Sequence, residues 1–190
     1  VTEEERYKNY FETFKEVSRL INSTLSLKEV FNRAVKKVSE VMGVKGVTLR
    51  LLDEKSKRLE LAASYGISEE YLKKGPVEAD KSVADAMEGI PVAVYDVAHD
   101  VRVQYKEAAV KEDVASMLSV PLVLRGKVIG VLRLYTSKPR AFGADEVEFV
   151  QALAEQAAIA IENARLYESV KGSYEQLMKD VYRWFEFGAR

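Results

Sequence analysis

The sequence predicts an α+β fold, with a central antiparallel β-sheet and the N- and C-terminal helices packed on one of its faces. Three observations predict it. Segments at both ends repeat apolar residues at three- and four-residue spacing, as a helix with one buried stripe does. The middle of the chain switches to alternation with a period of two, as strands do. Short polar turns join these strands in pairs, which makes neighbouring strands antiparallel.

Residues 1–24 read as a helix, with Tyr7, Tyr10, Phe14, Val17 and Ile21 on one stripe. Ser26 followed by Glu29 fits a capping box, and a second helix runs over residues 27–42 to Gly43, a residue that takes the left-handed conformation at low cost. Val47, Leu49 and Leu51 then alternate with Thr48, Arg50 and Leu52, and Leu59, Leu61 and Ala63 alternate with Glu60, Ala62 and Ser64, which makes a hairpin. Residues 68–74 and 82–88 are short helices closed by Gly75-Pro76 and Gly89. Residues 90–95 form a strand beside Pro91, which places it near a sheet edge. A charged, irregular stretch follows, with one turn of helix around 105–110. Strands over 116–124 and 128–135 are joined by a tight turn at Gly126, and a long helix starts near residue 144.

Composition excludes much chemistry. The chain has 190 residues, no cysteine and one histidine, with net charge −1 and a pI of about 6.1. Without cysteine there are no disulfides, thiolate zinc sites, thiol redox steps or thioether-linked cofactors. His99 alone does not supply a histidine-rich metal site, and the nucleophile and base inventory points away from an enzyme. No basic stripe marks a nucleic-acid partner, and no apolar run reaches the ~18 residues of a membrane span. The chain opens on Val1 with no cleavable signal pattern and is expected to be a piece of a longer protein.

A string of pieces in order carries a family resemblance. Ser116-Met117-Leu118-Ser119-Val120-Pro121-Leu122 leads through Gly126-Lys127-Val128-Ile129-Gly130-Val131-Leu132 and Phe142 to Glu155-Gln156-Ala157-Ala158-Ile159-Ala160-Ile161-Glu162-Asn163-Ala164-Arg165-Leu166-Tyr167. This resembles the C-terminal half of a GAF domain. Gly89-Ile90-Pro91-Val92-Ala93-Val94-Tyr95-Asp96 resembles its middle, and residues 25–43 and 47–66 its start. The resemblance covers residues 25–168. It leaves residues 1–24 as an N-terminal signalling and dimerisation helix and 169–190 as an extension of the C-terminal signalling helix. It implies a GAF/PAS-like, cytoplasmic, non-enzymatic sensory module. A pocket on one sheet face, covered by short helices and loops, would take a small molecule. The terminal helices would pass that event to an output domain in the same parent chain. The alternative is a dimerisation module of the same fold with no ligand.

The residues sort the chemistries of that family. Bilin attachment and sulfoxide reduction both need cysteine, so neither is available. Where the family's haem ligand sits, this chain has Lys111, Glu112 and Asp113, which argues against haem. The cyclic-nucleotide pattern is imperfect. Ser137 stands where the family has Asn, and only two residues separate Phe142 from Asp145-Glu146. The other role of these residues is structural, with Phe142 under the helix start and the acids at its positive end.

One constellation remains. Arg50 and Arg133 project from the same face of strands that the resemblance makes neighbours. Two guanidiniums there repel unless an anion or an acidic side chain lies between them. A guanidinium binds carboxylate bidentately, so one reading is a pocket for a small organic anion. The other is neutralisation by solvent or an acid, with Asp96 a candidate. Tyr135 shares the face, and the resemblance adds Ser82, Val83, Val92, Val94 and Met117 to the pocket lining.

The terminal helices predict a homodimer. A helix from residue 144 to about 187 would be ~65 Å long, whereas a globule of this chain length is ~40 Å across. A heptad seam runs along it through Ala160, Ala164, Tyr167 and Tyr174, and the stripe of Tyr7, Tyr10, Phe14, Val17 and Ile21 has the same spacing. The two stripes complete a four-helix bundle across a two-fold axis, or they pack together within one chain.

Overall fold

Capping boxes start the first two helices. Thr2 Oγ1 accepts from the Glu5 amide at 3.2 Å while the Glu5 carboxylate accepts from the Thr2 amide, opening α1 (Glu3–Ile21). Ser26 and Glu29 do the same for α2 (Leu27–Met42), which ends at Gly43 in the left-handed region with φ 57°. The computed structural model describes residues 2–23, 26–75, 77 and 83–187, with side chains as far as residue 179.

The remaining elements are β1 (Gly46–Asp53), β2 (Arg58–Tyr65), α3 (Glu69–Leu72), α4 (Ala84–Met87), β3 (Val92–Val94), α5 (Lys106–Lys111), β4 (Ser116–Leu124), β5 (Lys127–Thr136) and α6 (Ala144–Phe187). Five strands form one antiparallel sheet in the order β2-β1-β5-β4-β3. The strand next to Pro91 is an edge strand, as its sequence predicts. Pro121 is tolerated in β4 because the short β3 pairs only as far as Ser119, so Pro121 lies past that partner on the outer side of β4.

The apolar sheet face packs under α1, α2 and α6. Leu49, Leu118, Val120, Leu132 and Leu134 meet Val35, Val38, Val150, Leu153 and Ile161 there. Tyr10 stacks on Phe149 with ring centroids 4.2 Å apart and planes 8° from parallel. The opposite face holds two smaller clusters, one around Tyr71, Met117 and Tyr135 and one around Leu59, Val83 and Val131. The short helices α3, α4 and α5 supply residues to these.

One strand expectation needs correction. The even alternation of Leu59, Leu61 and Ala63 predicts a shared face, but the register of β1 and β2 shifts between Leu49 and Arg50, pairing Leu49 with Ala63 and Arg50 with Leu61. Ala62 is the extra residue of a bulge. A bulge reverses which face the following residues take. Ala63 therefore joins the helical-side core, while Leu59 joins the cluster on the other face.

The start of α6 accounts for the acids near Phe142. Glu146 accepts from the Gly143 amide at 2.9 Å and pairs with Arg140, whose other nitrogen donates to the Met42 carbonyl at 2.9 Å. Asp145 pairs with Arg6 of α1 at 2.9 Å. These carboxylates hold the three long helices together and complement the positive helix end.

The interface residues expected on the terminal helices divide. Tyr10 and Val17 are buried in the chain's own core, Ala160 is buried as well, and Phe14, Ile21 and Ala164 are half-buried. So α1 lays much of its stripe against α2 and α6 of its own chain. Tyr7, Tyr167 and Tyr174 are exposed, and Tyr167 keeps 67% of its surface in solvent. Beyond the globule α6 carries Leu166, Tyr167, Val170, Tyr174 and Leu177 exposed along its length. At 1.5 Å per residue its 44 residues span about 66 Å.

Candidate functional site

Cross-strand pairing assembles the site. Thr48 of β1 lies opposite Arg133 of β5, Arg133 opposite Ser119 of β4, and Ser119 opposite Val92 of β3. Directly paired residues share a face, so this row crosses four strands on the side away from the long helices. The next row runs from Tyr135 through Met117 to Val94. On the other flank Arg50 lies opposite Val131. Arg50 and Arg133 are therefore diagonal neighbours on one face of adjacent strands. Each keeps only 8% of its surface exposed.

Their contacts differ. Arg133 Nε donates to Ser119 Oγ at 2.8 Å. Arg50 Nη1 donates to the Leu59 carbonyl at 3.0 Å, a carbonyl of the strand that the bulge re-aims. Arg50 Nη2 is fully buried and has no hydrogen-bond partner among the described residues. A buried donor left unmade costs ~1–3 kcal/mol, and more when charged. Burial pushes the Arg50 pKa down. The nearby Tyr135 opposes that shift, and the positive charge of Arg133 adds to it.

Gly130 fixes the height of β1 here. A Cβ at that position would stand 2.4 Å from the Arg50 carbonyl oxygen, so the two backbones approach as closely as only glycine permits.

A stack of polar rings and one amine lies over the row. Tyr135 exchanges a hydrogen bond with Thr48, its hydroxyl 3.1 Å from Oγ1. The Tyr71 ring stands edge-on to Tyr135 with centroids 5.9 Å apart. Burial pushes the Tyr71 hydroxyl well above its ordinary value. Lys74 Nζ sits 3.6 Å from the Tyr71 ring centroid and donates to the Tyr71 carbonyl at 3.1 Å. Its pKa is pushed down to about 7, first by burial and then by the charges of Arg50 and Arg133, with Glu112 opposing. Lys74 and Tyr71 line a groove of about 480 Å³ together with Ser68, Ala108, Lys111 and Glu112.

Lys74, Tyr71, Thr48 and Ser119 were absent from the expected site. The signal for Lys74 was its spacing, three residues after an apolar Tyr71 on a helix that Ser68 caps.

The other expected residues fall into separate places. Val83, Val92 and Val94 line a cleft of about 290 Å³ that also holds Asp85, Arg102 and Gln104. Met117 packs in the cluster of Tyr71 and Tyr135. Ser82 lies outside the described residues. Asp96 does not reach the arginines. Its carboxylate accepts from the Ala98 amide at 3.1 Å and meets His99 Nδ1 at 2.8 Å on an exposed loop. The bond to His99 holds the Asp96 carboxyl below its usual range. Among the described residues no ion pair involves Arg50, and no group of three or more His, Asp or Glu residues is placed to hold a metal. No described helix is long and apolar enough to cross a membrane.

Comparison with known proteins gives the same architecture. A family model for the GAF domain matches residues 24–162. The GAF domain of a phosphoenolpyruvate-protein phosphotransferase from Coxiella burnetii superposes with a TM-score of 0.76 at 18% identity, covering 85% of this chain and 98% of that one. The corresponding Acinetobacter domain gives 0.70 at 23% identity, covering 87% and 97%. Free methionine-R-sulfoxide reductase from Neisseria meningitidis, in complex with its substrate, gives 0.70 at 20% identity, covering 83% and 91%. No curated protein matches the sequence.

Proposed function

The chain belongs to the GAF domain family, and from that premise we propose that it is a non-enzymatic sensory module that takes a small organic anion at Arg50 and Arg133. The observation that carries the anion is Arg50 Nη2, a buried charged donor without a hydrogen-bond partner among the described residues, beside a second buried guanidinium on the same face. A carboxylate is the ligand chemistry that a planar guanidinium satisfies best. Solved relatives support the sensory part, since one is a domain of a putative two-component sensor histidine kinase from Sinorhizobium meliloti. The absence of cysteine sets this chain apart from thiol-based sulfoxide chemistry.

Output runs through α6 to a further domain of a cytoplasmic parent protein. The exposed run of Leu166, Tyr167, Val170, Tyr174 and Leu177 supports pairing of this helix with that of a second copy. Fixing a ligand between β1, β5 and the covering short helices would shift strands on which α6 packs, which is how a bound anion reaches the helix.

Calorimetry with a panel of small carboxylic acids tests the anion. Binding to the parent and its loss in Arg50→Gln and Arg133→Ala are expected, and a panel with no binder overturns this part. Light scattering tests the pairing. A mass near twice 21.4 kDa at tens of micromolar is expected, and Tyr167→Glu with Tyr174→Glu should halve it.

A further inference from the structure

We propose that the groove between α1 and α6 seats a second copy of this chain, docked with its helices parallel to the first, so that α1 of each copy lies against α6 of the other. This rests on the pairing of α6 proposed above and names the surface and the direction of that pairing.

The phase of α6 locates the surface. The seam expected from sequence runs through Ala160, which is buried in its own chain, so that stripe is spent inside the globule. At about 100° per residue, Phe149, Ala152, Ile159, Leu166, Val170 and Leu177 fall on a second stripe, within an arc of about 80°. The near end of this stripe and Tyr7, Phe11 and Phe14 of α1 line a groove of about 450 Å³. Phe11 keeps 61% of its surface exposed, and Ile159, Leu166, Val170 and Leu177 keep between 47% and 69%. Groove and exposed run are therefore one continuous apolar surface, the kind that marks an interaction site.

Charge decides the occupant and its direction. Arg6 pairs with Asp145, and Tyr10 stacks on Phe149, at the same offset along the two helices. So α1 and α6 run in the same direction. Lys8 is level with Val147, Lys15 with Ala154, and Ile21 at the end of α1 with Ala160. On the helical wheel Lys8 and Lys15 lie beyond Phe11, on the α1 rim of the groove, and Glu148 and Glu155 lie on the α6 rim. Lys15 Nζ stands 5.2 Å from the Phe11 ring centroid and also donates to Glu12 at 3.1 Å. Glu4, the acid on the α1 rim, is level with Gly143 and lies below both glutamates.

Two copies that meet face to face over this groove are related by a two-fold axis in the interface. An axis along the helices keeps every height and sets α1 opposite α6 of the second copy. Lys8 and Lys15 of each copy then face Glu148 and Glu155 of the other. An axis across the helices sets α1 opposite α1 and α6 opposite α6, so that like charges face each other. Complementary charges fix a docking register, and like charges suppress it. The parallel arrangement also brings the runs of α6 beyond Ile21 side by side. Asn163, on the same stripe, then meets its own copy, and a polar residue at such a seam position sets register.

The test uses the whole chain, whose lack of cysteine makes an introduced thiol a clean probe. Oxidised Val170→Cys is expected to form a covalent dimer, because residues at one height face each other only in the parallel pair. An antiparallel pair over the groove holds the two thiols on the order of tens of Å apart at 1.5 Å per residue. In sedimentation at low ionic strength, Lys8→Glu or Glu148→Lys alone should weaken the dimer fivefold or more, and both in one chain should restore it. In the antiparallel pair each single reversal would tighten it instead. Phe11→Glu, at an exposed position, should give monomers with an unchanged far-ultraviolet spectrum.

A dimer that survives Phe11→Glu, tightens with either single reversal, gains nothing from the double reversal or leaves Val170→Cys uncrosslinked overturns this docking, while the pairing of α6 stands on its mass. A parent chain that is itself a monomer overturns both, and leaves the groove to another segment of the parent protein.

Discussion

On the helical side of the sheet, β1 and β5 present Leu49, Leu132 and Leu134 to α1, α2 and α6, and almost every side chain there is apolar and closed off from water. On the other side the same two strands present Thr48, Arg50, Val131, Arg133 and Tyr135 under short helices and loops. The backbones are shared, so the contrast is one of side-chain chemistry. The helical side lowers free energy by burial alone, at ~25 cal/mol per Å² of apolar surface. The other side holds charges whose desolvation opposes folding, and Arg50 Nη2 goes without a hydrogen-bond partner among the described residues. That side also buries two apolar clusters, around Tyr71, Met117 and Tyr135 and around Leu59, Val83 and Val131, so its charges sit in a packed setting.

Four measurements sharpen or break that contrast, beginning with the largest effect. Leu134→Ala, at a fully buried position among apolar neighbours, should cost about 2–5 kcal/mol in urea melts. A loss below 1 kcal/mol would mean that the helical side is not the stabilising one.

The second uses pH. Lys74 titrates near 7 when folded and near its ordinary value when unfolded, so between those values the unfolded chain binds more protons. Its contribution to stability therefore rises with pH above about 7, and below 7 the charged amine costs its full penalty. Lys74→Met should raise stability by about 1–2 kcal/mol at pH 6, after allowing for solvent screening, and the gain should shrink toward pH 10. A gain independent of pH would break the assignment.

Third, Arg50→Met should change ligand-free stability by no more than about 1 kcal/mol, in either direction, because an unpaired buried charge is exchanged for an apolar chain of similar length. A loss as large as that of Leu134→Ala would make Arg50 structural. Fourth, His99→Ala should leave the urea midpoint unchanged, since His99 and Asp96 meet on a solvated loop.

Particular residues show how much was legible. The capping box at Ser26, the left-handed Gly43, the edge strand near Pro91 and the start of α6 were readable because each depends on neighbours within a few residues. Arg50 and Arg133 were readable as a pair because strand parity fixes a face. The bulge at Ala62 was not. Its alternation looks regular, and only pairing with β1 shows which residue is extra. Lys74 was hidden for the same kind of reason. A lysine at the end of a short helix reads as solvated, and the charges that depress its pKa, Arg50 and Arg133, lie far away in sequence.

By itself the sequence determined the α+β class, the order of elements, the family and the exclusion of cysteine chemistry. These follow from local periodicity, capping and composition, which involve residues close together along the chain. Tertiary structure alone decided that α1 lays its stripe on α2 and α6 of its own chain, that Asp96 pairs with His99 rather than with either arginine, and that Lys74 sits over the Tyr71 ring. Each of those outcomes is a contest between partners distant in sequence. Packing and the low dielectric of a buried face settle such contests, and both exist only once the sheet has formed.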